Sequence, residues 1–165
     1  MQISTGGKQR DPEAELHDWV GEHYSNPLGY VRGAFPWGEP DTALWAYKEP
    51  RKWQIEFLEW LGDEIRGRKF DGITPVDPIR GAVSSGHGVG KGALSGMVVN
   101  FIMSTRRNAK GTVTANTATQ LEDKTWAAIR WWSNLSITSH WFEHNNEILF
   151  RKGQRESWRV TPQTC

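Results

Sequence analysis

The chain has 165 residues, the size of one ordinary domain, which excludes a complete large multidomain machine. Ten Trp and six Phe supply apolar mass that a disordered chain lacks, yet hydrophobic residues reach only 37% and mean hydropathy is −0.64, so the core must be thin. Twenty Lys and Arg against nineteen Asp and Glu leave a net charge of +1, so any polyanion contact has to be local.

Asp11-Pro12-Glu13 opens a first helix, with Asp11 as cap and Pro12 pre-set for the first turn. Leu16, Trp19, Val20 and Tyr24 recur at helical spacing, and Pro27 ends the run. From Gly29 to Pro50 the periodicity dissolves into Gly, Pro and aromatics, which reads as an ordered but irregular loop. A second helix follows over about 51–65, with Trp53, Phe57, Trp60 and Leu61 on one face. Residues 79–84 read as a short strand, then come the glycine-dense Gly86-His87-Gly88-Val89-Gly90-Lys91-Gly92 and an apolar helix over 93–103. A second strand is expected over 111–115, a third major helix capped by Asn116 or Thr117 and running to about Trp132, and a hairpin from 148–150 with 158–161. This alternation argues an α/β sheet, although too few strands are present to complete a parallel one.

The glycine segment fits a phosphate loop. Ser85 takes the place of the first glycine, Gly86, His87, Gly88 and Val89 fill the variable positions, and Gly90-Lys91 supply the fixed pair. Residues without Cβ let successive backbone amides turn toward a phosphate at the positive end of the next helix, and Lys91, the catalytic candidate, adds a mobile charge. Gly92 stands where a Ser or Thr normally completes a magnesium shell, so metal placement is expected to be weakened. The alternative for the cluster is a tight strand-to-helix turn.

Several segments together resemble the large, motor subunit of tailed-phage terminase. They are Phe35-Pro36-Trp37-Gly38-Glu39-Pro40, Arg51-Lys52-Trp53-Gln54, the stretch from Ser84 to Lys91, and Thr112-Val113-Thr114-Ala115-Asn116-Thr117-Ala118-Thr119-Gln120. The resemblance implies an α/β fold that is an incomplete P-loop NTPase core of the additional-strand helicase-like class, with N-terminal helices. Residues 1–78 would form a helical and loop region leading into the ATPase, and 79–165 the first part of the ATPase domain, without the nuclease domain.

The resemblance also implies ATP and Mg2+ as cofactors, double-stranded DNA as the partner of full-length relatives, and the terminase small subunit and portal as further partners. It makes Gln54 the glutamine that reads adenine, with Trp53 as a stacking surface; otherwise Gln54 reads as a solvent-facing helix residue. Asn116, Thr117 and Thr119 match a segment that faces DNA or couples to it, and helix capping is their equal alternative. No apolar run after Gln120 ends in the acidic pair that hydrolysis requires, because Ile148-Leu149-Phe150 runs into Arg151-Lys152. Nucleotide binding without competent hydrolysis or DNA cutting is therefore expected. The alternatives are a non-catalytic interaction protein of prophage origin or a fragment of another helicase-like NTPase.

The aromatic group Trp126, Trp131, Trp132, Trp141 and Phe142 reads as core or subunit-contact packing rather than base stacking, and Arg106, Arg107 and Lys110 as a solvated loop. No run reaches the ~18 apolar residues of a membrane span, and the single Cys165 has no internal disulfide partner. A cytoplasmic setting in a bacterial host is the expectation.

Overall fold

A computed structural model describes residues 10–84, 86 and 88–164. Helix α1 (Pro12–Glu22) starts as its sequence dictates, with the Asp11 carboxylate accepting from the Glu13 amide at 3.1 Å. The segment expected to be irregular from Gly29 instead begins with helix α2 (Pro27–Ala34), in which Asn26 caps the Gly29 amide at 2.9 Å and Pro27 occupies the first turn. The glycines that follow hide the Asn-Pro start in the sequence, and burial of Leu28, Tyr30, Val31 and Ala34 outweighs the low helix propensity of Gly29 and Gly33.

Helix α3 (Lys52–Arg68) is longer than the expected span and stops where Lys69 turns left-handed, with φ of 49°. Helix α4 (Lys91–Thr105) follows the glycine loop and carries the buried Leu94, Met97, Phe101 and Met103. Strand β1 (Lys110–Ala115) leads through Thr117, whose hydroxyl accepts from the Gln120 amide at 3.2 Å, into a continuous helical stretch. That stretch is α5 (Ala118–Gln120), a π-helical turn (Leu121–Trp126) and α6 (Ala127–Leu135). Strands β2 (Phe142–His144), β3 (Leu149–Arg151) and β4 (Arg159–Thr164) complete the order β1-β4-β3-β2. The protein is thus mixed α/β, with a four-stranded mixed sheet.

Only β1 and β4 are parallel, with Lys110 opposite Arg159 and Ala115 opposite Thr164; the other pairs are antiparallel. The expected hairpin is present, with Leu149 opposite Val160, whereas the strand expected over 79–84 is not. A strand requires a neighbour for its amides and carbonyls, and among the described residues this segment has none in the sheet. It lies instead on the aromatic face of α3, where a Cβ at Gly81 would come within 2.5 Å of the Trp60 ring.

One buried cluster joins the helices to the sheet, from Val20, Tyr30 and Leu58 to Met97, Trp126 and Val160. Inside it the Tyr30 hydroxyl donates to Asn100 at 2.8 Å, tying α2 to α4, and the Trp158 indole donates to the Met103 carbonyl at 3.0 Å, tying the sheet to α4. Trp126, Trp132, Trp141 and Phe142 are buried as expected, but Trp131 is 45% exposed. It neighbours Trp132 in the same helix but projects about 100° around the axis from it. No helix among the described residues is long and apolar enough to cross a membrane.

Candidate phosphate loop

Two side chains at the start of α3 hold the glycine loop from below. The Trp53 indole N–H donates to the Val89 carbonyl at 3.0 Å, and the Gln54 amide donates to the Gly90 carbonyl at 2.9 Å. Gln54 also accepts from the Arg51 backbone amide at 2.9 Å through its Oε1 and is buried, which corrects its reading as a solvent-facing residue. Trp53, offered as a stacking surface, has its polar edge committed to the loop.

These bonds fix where the loop amides point. A trans peptide sets N–H opposite C=O, so a Val89 carbonyl turned toward Trp53 turns the Gly90 amide away from α3. The Gly90 carbonyl also accepts from the Leu94 amide at 3.1 Å, as the first bond of α4, which directs the Lys91 amide out of the helix end. Gly88 and Gly90 have φ of 74° and 93°, conformations that a side chain resists. A Cβ at Gly86 or Gly88 would meet open space, whereas one at Gly90 would come within 3.0 Å of the Gln54 amide nitrogen. The Lys91 ammonium reaches back over the loop and donates to the Gly86 carbonyl at 3.2 Å. Ser85 and His87 lie outside the described residues.

Gly92 faces α6, and a Cβ there would sit 3.3 Å from the Ala128 methyl, a contact that small adjustment absorbs. One turn on, Gly96 lies against Trp132, where a Cβ would meet the Trp132 Cβ at 2.7 Å. Glycine at 92 therefore belongs to a close α4–α6 approach, and it offers no hydroxyl. Ser95, the nearest hydroxyl along the helix, donates back to the Lys91 carbonyl at 3.1 Å. Among the described residues no group of three or more His, Cys, Asp or Glu could hold a metal ion.

Beside Gln54 and Gly90 opens a hollow of about 410 Å³, bounded by Tyr47, Arg51, Trp131 and Trp132. Tyr47 and Trp131 are exposed at its edge. Neither residue stood out in the sequence as a site residue; the one usable signal was the position of Trp131 beside a core tryptophan. Asn116, Thr117 and Thr119 are exposed, and Thr117 acts as the helix cap. No protein-family model, curated protein or solved structure matches this chain.

Proposed function

We propose that the chain is the nucleotide-binding part of a DNA-packaging motor of the terminase large-subunit type, an incomplete P-loop core that holds ATP without hydrolysing it. The observation that carries this reading is the clamp of Trp53 and Gln54 on consecutive loop carbonyls, which turns the Gly90 and Lys91 amides outward at the start of the 15-residue α4. Outward amides, a positive helix end and a lysine leaning over the loop suit the β- and γ-phosphates. The hollow at Tyr47 and Trp131 lies on the Gln54 side and suits the base, which an exposed aromatic can stack and the remaining amide N–H of Gln54 can contact. Because Gly92 gives magnesium no ligand, the proposal rests on phosphate binding, with turnover lost.

Titration of the folded protein with a fluorescent adenosine triphosphate, with and without chelator, tests this. Saturable binding is expected, and Lys91→Ala should weaken it by about tenfold or more. ATP turnover should match that of the Lys91→Ala protein. Absence of saturable binding in a folded sample rejects nucleotide binding, and Lys91-dependent turnover rejects the loss of hydrolysis. Equal affinity for guanosine triphosphate would favour another helicase-like NTPase fragment over the terminase type.

A further inference from the structure

Around the C-terminal ends of α3 and α4, two adjoining hollows of about 530 and 470 Å³ share Ile65, Ile79 and Arg106 in their linings and together make a groove. From Arg106 it extends back along α4 as far as Val98, and Phe57, Gly81 and Val98 are shared with a smaller hollow of about 270 Å³ that Lys91 lines. Its floor is apolar: Ile65 and Ile79 continue into Val98 and Ile102, while Phe70 and Val76 remain exposed at 44% and 42%. Apolar side chains left open in one depression mark a place where another surface sits.

The rim is cationic. Arg66, Arg68, Lys69, Arg106 and Lys110 line it, with Asp77 as the one carboxylate among the lining residues, on a chain whose net charge is only +1. Arg66 and Arg68 are engaged by Asp63 at 2.6 Å and Glu64 at 2.9 Å. The ends of α3 and α4 also attract positive charge, by about half an elementary charge each. Lys69, Arg106 and Lys110 remain without an ion pair among the described residues.

Arg106 is the clearest case. Its guanidinium lies over the Tyr24 ring at 4.1 Å and the Phe101 ring at 4.7 Å, so it is held by its faces. Burial pushes its pKa below the ordinary arginine value, with no carboxylate to offset the lost hydration. One N–H bonds the Thr105 hydroxyl at 2.5 Å, and the rest of its in-plane donors have no partner among the described residues. A guanidinium fixed this way is prepared for a bidentate carboxylate.

We infer that this groove docks an acidic, amphipathic peptide segment of a partner protein, its apolar side chains on the aliphatic floor and its carboxylates on Arg106 and Lys69. A nucleic-acid backbone fits less well, because phosphodiesters and sugars have no use for an aliphatic floor.

The probe is a fluorescein-labelled peptide of Leu and Glu at helical spacing, read by anisotropy against the full chain. Saturable binding is expected, weakening as salt rises, with Lys69→Glu and Arg106→Gln each raising Kd by about tenfold. Ile102→Ser should weaken it as well. Lys69 is exposed and lies beyond the end of α3, so Lys69→Glu keeps the test valid if Arg106→Gln fails to fold. Four results would each overturn the inference: no saturable binding, indifference to Lys69→Glu, equal binding of a Leu/Lys peptide, or a single-stranded oligonucleotide that competes and shows the same variant pattern. Sedimentation giving a dimer that Lys69→Glu dissociates would assign the groove to a second copy of the chain instead.

Discussion

At the scale of single residues, an amide such as that of Gln54 does more than its position on a helix suggests. Its oxygen satisfies the Arg51 amide at the helix start, and its nitrogen holds the Gly90 carbonyl of a loop 36 residues away. Glu13 plays a similar part in α1. Its carboxylate takes hydrogen bonds from the Trp141 indole and the His140 ring, while His17 stacks on Trp141 at 4.4 Å and Arg151 lies over the same indole at 4.5 Å.

The bonds from Trp141, then His140, hold the Glu13 pKa below its ordinary value of 4.5. A carboxyl whose pKa falls on folding contributes stability above its unfolded pKa and loses it as pH drops through the folded value. Glu13→Gln should therefore lower the urea midpoint at neutral pH, and the gap to wild type should close as pH falls below 4.5. A gap independent of pH would show that the carboxylate charge is not what holds α1 at this point.

At the scale of elements, α4 and α6 approach through small residues. A Cβ added at Gly92 would sit 3.3 Å from the Ala128 methyl, and one added at Gly96 would meet the Cβ and ring of Trp132 at 2.7–2.8 Å, so glycine is what permits this approach. Gly96→Ala should destabilise by about 1–3 kcal/mol, since the Trp132 Cβ can yield only by moving α6. Gly67 in α3 is the opposite case, because an added methyl there meets nothing within 4 Å. Gly67→Ala should stabilise by about 0.5–1 kcal/mol, through reduced freedom of the unfolded chain. Both are read from urea unfolding, and a shared sign would refute the packing argument. The π-helical turn at Leu121–Trp126 belongs to the same architecture, lying between the capped start at Thr117 and the α6 surface that meets α4.

At the scale of the whole molecule, the boundary near residue 78 does not divide the core. Val20 and Leu58 share one buried cluster with Met97, Trp126 and Val160, and Tyr30 bonds to Asn100 across that boundary. Parts that share a core have no separate stability, so unfolding should be a single transition. Tryptophan fluorescence and far-ultraviolet circular dichroism should give coincident urea curves; separated midpoints would reveal units that unfold independently. The glycine loop leads into α4 and the cationic groove extends along it from Arg106 back to Val98, which makes that helix the axis on which any relation between them would run.

The sequence by itself determined the features that depend on near neighbours along the chain. The Asp11 and Thr117 caps, the helices at α1, α3 and α4, strand β1, the β3–β4 pairing and the glycine loop with its lysine were all legible, because capping, periodicity and turn chemistry act within a few residues. Tertiary structure decided the rest. Residues 79–84 carry strand-forming residues, but no strand among the described residues offers them hydrogen bonds, and the aromatic face of α3 takes Gly81 instead. Helix α2 exists because Tyr30 and Val31 find a core, Trp131 is left exposed where Trp132 is buried, and the hold of Trp53 and Gln54 on the loop joins residues 36 positions apart. Local preference sets which conformations are available to a segment, and which one persists depends on partners that only the folded chain brings within reach.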